Sequence, residues 1–117
     1  MLFRSSNLLL NEILTYKFQT GPAWRMGTCY LTELQNAGDF KSCGANIDAA
    51  KPTVMLWGDS HAAHLYPGFE KVYANEINLV QRTASACPPI LQMDKTSRPF
   101  CRDINEQTLG LMAKLHP

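Results

Sequence analysis

The 117-residue chain has the length of one small domain, and its content of 45% hydrophobic and 18% charged residues is ordinary for a globular protein. The net charge is +1 and no run of five like charges occurs, so the charge pattern predicts no nucleic-acid partner. The longest apolar stretches, 8–10 and 54–57, are far shorter than the roughly 20 residues of a membrane-spanning helix, and no signal peptide is recognisable at the N-terminus.

The first expected element is a short amphipathic helix near the N-terminus. Apolar residues between Leu8 and Phe18 recur at helical spacing, and Gly21-Pro22 ends the pattern. We therefore expect residues 1–22 to form a helix and linker, and residues 23–117 to form one partial domain. Periodicity fades from residue 23 to residue 52, where glycines and polar residues accumulate, so the start of the domain is expected to be a surface region.

The four cysteines form two pairs, because Cys29 and Cys43 have the same separation as Cys87 and Cys101. Each pair flanks a loop-like segment, which favours two local disulfides and an oxidising compartment. Four cysteines allow three connectivities, and four free thiols in a cytosolic protein are the alternative. A zinc site is disfavoured because no Cys-x-x-Cys pair is present, and neither a metal nor another cofactor is expected.

The middle of the chain predicts a strand, a turn, a helix and a second strand. Residues 53–57 form an apolar run with β-branched members that ends at Gly58, which is typical of a strand buried on both faces. An apolar stripe from Leu65 to Tyr73 predicts a helix with Pro67 in its first turn. Residues 77–83 then complete a right-handed β-α-β unit, and hence a parallel sheet.

The end of the chain predicts a loop and one more crossover helix. Residues 85–100 contain three prolines, and apolar spacing from Asp103 to Leu115 predicts a helix. A crossover helix leads into a further parallel strand, yet the sequence stops at Pro117. We therefore expect an α/β fold, truncated, with a sheet of about two strands.

A candidate site lies at the turn after the first strand, where Gly58, Asp59, Ser60 and His61 follow one another. Open α/β sheets bind ligands at this position, and N–H groups of the coming helix can stabilise an oxyanion there. The alternative is that Asp59 or Ser60 only caps the helix. Three aromatic residues could line a cleft but are more often core residues at such positions: Trp57, Tyr66 and Phe69.

The longer string from residue 56 to residue 68, Leu-Trp-Gly-Asp-Ser-His-Ala-Ala-His-Leu-Tyr-Pro-Gly, closely resembles the first sequence block of the SGNH domains fused to the membrane-bound acyltransferase-3 family. Residues 83–90 resemble the Cys-Pro-Pro loop that follows the second strand in those domains. The resemblance covers roughly Cys29 to the end of the chain. It implies the N-terminal portion of a three-layer α/β/α SGNH-hydrolase-like, or flavodoxin-like, parallel sheet.

The resemblance also implies roles for single residues. Ser60 would be the acylated nucleophile and its own N–H an oxyanion donor, within a motif completed by Gly58, Asp59 and His61. Asp59 would fix the turn. A second oxyanion donor would come from the loop at Ala86, where the wider superfamily has a glycine.

The later blocks of the family are not found in the sequence, since no Asp-x-x-His stands near the C-terminus. Serine needs an adjacent base to become a strong nucleophile, and His61, His64 and His116 are poor substitutes for the family's histidine. The isolated chain is therefore expected to be inactive.

The intact relatives imply an O-acyltransferase or esterase that acts on carbohydrate hydroxyls through an acyl-serine intermediate. Its partners would be an acyl donor and a carbohydrate acceptor, with a membrane acyltransferase region upstream and the domain on the periplasmic or extracytoplasmic side. The alternatives are a catalytically inactive remnant and a small disulfide-stabilised binding domain.

Overall fold

The computed structural model describes residues 2–94 and 96–117. Helix α1 (Leu2–Thr15) and helix α2 (Thr20–Trp24) form the N-terminal part. Helix α1 begins earlier than the sequence pattern predicts and ends three residues before Phe18. Its apolar side chains from residue 8 to residue 14 are exposed, so the amphipathic stripe that predicted the helix is not buried.

A parallel sheet of three strands forms the centre of the structure. Strands β1 (Tyr30–Leu31), β2 (Thr53–Gly58) and β3 (Asn78–Ala84) are arranged in the order β1-β3-β2. The expected sheet of two strands is therefore wrong by one strand, since β1 lies in the segment interpreted as a surface region. A strand of two residues is too short to show an alternating pattern, and only its pairing with β3 defines it.

The sheet also corrects the burial expected for β2. This strand forms an edge of the sheet and is half-buried over most of its length, whereas the central strand β3 is buried at five consecutive positions, 80–84. A strand between two neighbours is covered on both edges and both faces. An apolar run in the sequence does not show whether a strand takes this central position or lies at an edge. The parallel pairing of β2 with β3, from Thr53 opposite Asn78 to Gly58 opposite Thr83, agrees with the predicted β-α-β unit.

Helices flank the sheet on both faces. Helices α3 (Ser60–Ala63) and α4 (Tyr66–Tyr73) connect β2 to β3, and α5 (Cys101–Leu115) follows β3. Pro67 occupies the first turn of α4, as predicted, and α5 begins two residues before the predicted start.

Neighbouring residues of β3 show which helices share a face of the sheet. The side chain of Gln81 donates a hydrogen bond to the carbonyl of Trp24 at the end of α2, whereas Arg82 reaches Thr108 on α5. Because successive side chains of a strand point to opposite faces, α2 and α5 lie on opposite sides. The expected α/β/α class is confirmed.

The two predicted disulfides are both formed, between Cys29 and Cys43 and between Cys87 and Cys101. The first holds two segments beside β3, because the N–H of Thr83 donates to the carbonyl of Cys29 at 3.1 Å and the N–H of Gln81 donates to the carbonyl of Cys43 at 2.9 Å. The disulfide therefore extends the short edge that β1 provides.

The residue after Cys43 shows how closely this segment approaches the sheet. Gly44 has a φ of +90°, and an added Cβ would overlap the carbonyl oxygen of Leu79. Only glycine fits at this position. The second disulfide belongs to the main core cluster, whose members are Leu31, Ala37, Ala84, Cys87, Cys101 and Ile104.

Within residues 2–94 and 96–117, no helix has both the length and the apolar character needed to cross a membrane.

Candidate active site at the turn after strand β2

Gly58 ends strand β2 and allows the chain to turn sharply. Its φ is +150°, a conformation that residues with a side chain rarely adopt. An added Cβ would lie 3.1 Å from the Cβ of Ala62 and 3.7 Å from the Cδ of Pro89. The turn therefore requires glycine, and the loop that contains Pro89 packs against it.

Asp59 caps the short helix α3. Its Oδ1 accepts a hydrogen bond of 2.9 Å from the N–H of His61, and the Nδ1 of the same histidine lies 3.0 Å from that oxygen. Partial burial, the largest single influence, acts to raise the pKa of Asp59, but the hydrogen bonds and charge interaction with His61 together lower the pKa below its usual value. Asp59 is thus an ionised cap at the start of α3.

Ser60 is the first residue of α3 and is half-buried. Its N–H has no acceptor within the helix, because the first four N–H groups of any helix lack one, and it can donate to a ligand at the mouth of the turn. No described residue forms a hydrogen bond with its hydroxyl oxygen. Ser60 therefore combines an uncommitted hydroxyl with an uncommitted N–H on one residue.

The structure brings no histidine within hydrogen-bonding distance of the Ser60 hydroxyl in the described part of the chain. The ring of His61 is 90% exposed and directed at Asp59. His64 is exposed at the C-terminal end of α3, and His116 follows the end of α5. None of the three histidines forms a hydrogen bond with the Ser60 hydroxyl in the described part of the chain.

The loop after β3 forms a tight turn at Ala86. The N–H of Cys87 donates to the carbonyl of Ala84 at 3.2 Å, and Ala86 has a φ of +52° in the left-handed region. Glycine is the residue that adopts this region without strain. The loop thus has a backbone conformation suited to glycine although it contains alanine.

A buried asparagine, which the sequence interpretation missed, joins this loop to strand β2. Asn105 on α5 accepts a hydrogen bond of 2.8 Å from the indole N–H of Trp57 and donates to the carbonyls of Pro88 and Ile90 at 2.9 and 3.1 Å. It therefore positions the Cys-Pro-Pro loop relative to the residue that precedes Gly58. The sequence signal that could have indicated this role is the polar Asn105 directly after the apolar Ile104, both of which lie on the buried side of α5.

A second missed residue is Arg98, which is fully buried between the loops that follow β1 and β3. Its guanidinium donates four hydrogen bonds of 2.8–3.0 Å, and every acceptor is a backbone carbonyl. The sequence offered no signal for it, since it stands in a loop-like segment among 11 basic residues. The four acceptors belong to Thr32, Glu33, Gln35 and Ser85.

A cavity of about 330 Å³ opens at the carboxyl ends of β1 and β3, beside these two loops. Its lining combines a carboxylate and hydroxyl groups with apolar side chains. The lining residues are Met26, Tyr30, Thr32, Glu33, Leu34 and Ser85. In parallel sheets the carboxyl edge is the usual place for ligands, so this cavity shares an edge with the Ser60 turn.

The three aromatic residues near the turn differ in burial. Tyr66 is buried and its hydroxyl donates to Glu70 at 2.9 Å, which places it in the core as expected. Trp57 and Phe69 are half-buried.

Strand β2 of the parallel sheet thus ends at a Gly-Asp-Ser turn, the arrangement that the resemblance to the SGNH class of hydrolase-like domains implies. Comparison with protein families agrees, because the model of the SGNH domain (fused to AT3 domains) matches residues 28–117. The chain belongs to this family, in which the SGNH domain is fused to a membrane acyltransferase region. Neither the curated proteins nor the solved structures contain a match to the chain.

Proposed function

We propose that Ser60 is the nucleophile of an SGNH-type O-acyltransferase or esterase and carries an acyl group during the reaction. The observation behind this proposal is its place as the first residue of α3, directly after the Gly58 turn of a parallel strand, in a family of hydrolase-like acyl-transfer domains. A serine there presents its hydroxyl at the carboxyl edge of the sheet and its N–H beside it.

The proposed reaction has two steps. The Ser60 oxygen attacks the acyl carbonyl while its proton passes to a base, and the N–H groups of Ser60 and the Ala86 loop stabilise the negative charge on the carbonyl oxygen. Collapse of this intermediate expels the donor's leaving group and leaves an acyl-serine. A hydroxyl of the acceptor then attacks the acyl carbon, and the Ser60 oxygen leaves and regains a proton.

The described residues do not themselves supply the base for these steps. His61 is held by Asp59, and the other histidines form no hydrogen bond with the Ser60 hydroxyl. Catalysis by this arrangement thus depends on a base from elsewhere, and a test of Ser60 must provide one. The second candidate function, a non-catalytic binding domain, is favoured by this same observation.

The acceptor in this proposal is a carbohydrate hydroxyl, bound in the 330 Å³ cavity. Sugars present hydroxyl groups at their edges and C–H groups on their faces. The carboxylate of Glu33 and the hydroxyl of Ser85 suit the former, whereas Leu34 and Met26 suit the latter. Two disulfides support placement of residues 23–117 on the extracytoplasmic side, next to a membrane acyltransferase region and its acyl donor.

A fluorophosphonate probe tests the nucleophile, because it forms a covalent adduct with activated serines. We expect mass spectrometry of the oxidised protein to map the adduct to Ser60, with a labelling rate that increases when imidazole is added as an external base. Ser60→Ala should abolish the adduct, and Ser42→Ala, a change at an exposed serine, should leave it unchanged. Equal labelling of the Ser60→Ala protein, or no labelling of folded protein in imidazole, would exclude Ser60 as nucleophile and favour the binding domain.

A further inference from the structure

A second buried arginine lies on the face of the sheet that α5 covers. Arg82 on β3 is only 8% exposed, and its guanidinium stacks over the ring of Phe40 with 3.6 Å between its carbon and the ring centroid. Its Nε lies 3.4 Å from the hydroxyl of Thr108, a long hydrogen bond. Phe40 therefore covers one side of the guanidinium, and the hydroxyl of Thr108 accepts a hydrogen bond from one of its donors.

The remaining donors of Arg82 are not used by the protein. In the described part of the chain, no carboxylate lies within 4.0 Å of this guanidinium, and its two terminal nitrogens have no hydrogen-bond partner. They are also not sealed off, because the one fully enclosed side-chain atom without a partner among these residues is the Oε1 of Gln81. The terminal nitrogens of Arg82 therefore reach solvent.

Solvent reaches Arg82 through a cavity of about 390 Å³ beside α5. The polar side chains in its lining are those of Arg82, Lys114 and Gln107, each of which has N–H donors, and the lining contains no carboxylate. Gly110 and Leu111 complete it. A cation that is mostly removed from water and has no acidic partner among the described residues is unfavourable, because its remaining contact with solvent replaces only part of its lost hydration. Burial lowers the pKa of Arg82 to about 10, so the group still carries its charge at neutral pH.

We propose that this cavity binds an oxyanion, a phosphate or carboxylate group, between the guanidinium of Arg82 and the ammonium of Lys114. The planar edge of a guanidinium matches two oxygens of either group, and such charge-assisted hydrogen bonds are stronger than neutral ones. The side-chain amide of Gln107 supplies a third donor. The site lies beside α5 and is independent of Ser60 and of the proposed acyl transfer.

The binding can be measured on the whole chain with inorganic phosphate as the probe. We expect the Nε–Hε resonance of Arg82 to shift saturably during an NMR titration with phosphate, whereas sodium chloride at the same ionic strength produces no saturable shift. The midpoint of thermal unfolding should rise in phosphate relative to chloride. A parallel titration with acetate distinguishes the two chemistries, because the oxyanion with the lower Kd identifies the natural group.

Two variants and one control identify the residues that bind. Arg82→Met should abolish the phosphate-induced rise in the unfolding midpoint. Lys114→Met, a change at an exposed position that leaves the fold intact, should weaken binding by about tenfold, as expected for the loss of one charge-assisted contact. Lys71→Met on the distant helix α4 should bind like the original protein. Binding unchanged in Lys114→Met, or shifts in phosphate and acetate no larger than in chloride, would overturn the proposal.

Discussion

The two buried arginines of this domain have opposite surroundings. Arg98, at the carboxyl edge of the sheet, donates to four backbone carbonyls and is completely enclosed. Arg82, under α5, stacks on Phe40, makes one long hydrogen bond and keeps its terminal nitrogens open to a cavity. Arg98 therefore joins two loops through hydrogen bonds. The terminal donors of Arg82 have no acceptor among the described residues.

The difference follows from the backbone around each arginine. Loops leave carbonyl groups without a partner, and the turns after β1 and β3 direct several of them at Arg98. Arg82 stands in the central strand, where the carbonyls are already paired in the sheet, so none is available to its guanidinium. A buried arginine among loops can therefore stabilise the fold, whereas one in the centre of a parallel sheet remains available for a ligand.

The largest effect on stability should come from removing the hydrogen bonds of Arg98. Arg98→Met removes four hydrogen bonds to backbone carbonyls, and only the carbonyl of Thr32 keeps another donor, the N–H of Gln35, so we expect the free energy of unfolding to fall by roughly 3–5 kcal/mol. Urea denaturation followed by circular dichroism measures this change. The matched control is Arg102→Met on α5, an exposed arginine that pairs with Asp94 and Glu106, and there we expect little change. Similar losses in both variants would show that the four carbonyl contacts carry no special weight.

A smaller effect of opposite sign is expected in the loop that Arg98 holds through Ser85. Ala86 has a φ of +52°, and the left-handed region costs alanine about 1–2 kcal/mol relative to glycine. Ala86→Gly should therefore raise the free energy of unfolding, by up to about 1 kcal/mol after the greater entropy of glycine in the unfolded chain is included. Ala113→Gly in the right-handed helix α5 is the control and should lower it by about 1 kcal/mol. A loss of stability in Ala86→Gly would show that this loop is not strained.

The smallest effect on stability is expected at Arg82. Arg82→Met removes a buried cation that has no acidic partner among the described residues and retains a flexible apolar side chain beside Phe40. We expect the free energy of unfolding in chloride buffer to stay the same or to rise by up to about 1 kcal/mol. Thermal unfolding by calorimetry measures it beside Arg98→Met. A loss as large as that of Arg98→Met would contradict the contrast between the two regions.

Features that depend on neighbouring residues could be predicted from the sequence. Pro67 can begin a helix but cannot lie inside one without breaking it, so the start of α4 followed from its position. The equal spacing of Cys29 with Cys43 and of Cys87 with Cys101 indicated local disulfides, and both are formed. The Gly58-Asp59-Ser60 turn was recognisable because it follows an apolar run and precedes an amphipathic helix.

Features that depend on distant residues could not be predicted in this way. Strand β1 exists only because it pairs with residues more than 50 positions later, and the contacts of Arg98 span up to 66 positions. Asn105 looks like an ordinary polar residue of a helix until the fold brings Trp57 and the loop carbonyls to it.

The sequence alone thus determined the family and the α/β class, favoured the two disulfide pairs that are formed, and located the Gly58-Asp59-Ser60 turn, because these features depend on local spacing and composition. The tertiary structure decided which strand is central. It also decided that Arg98 joins two loops through hydrogen bonds, whereas the guanidinium of Arg82 faces a cavity. Those properties depend on where backbone hydrogen bonds are already satisfied, and the sequence does not contain that information until the chain has folded.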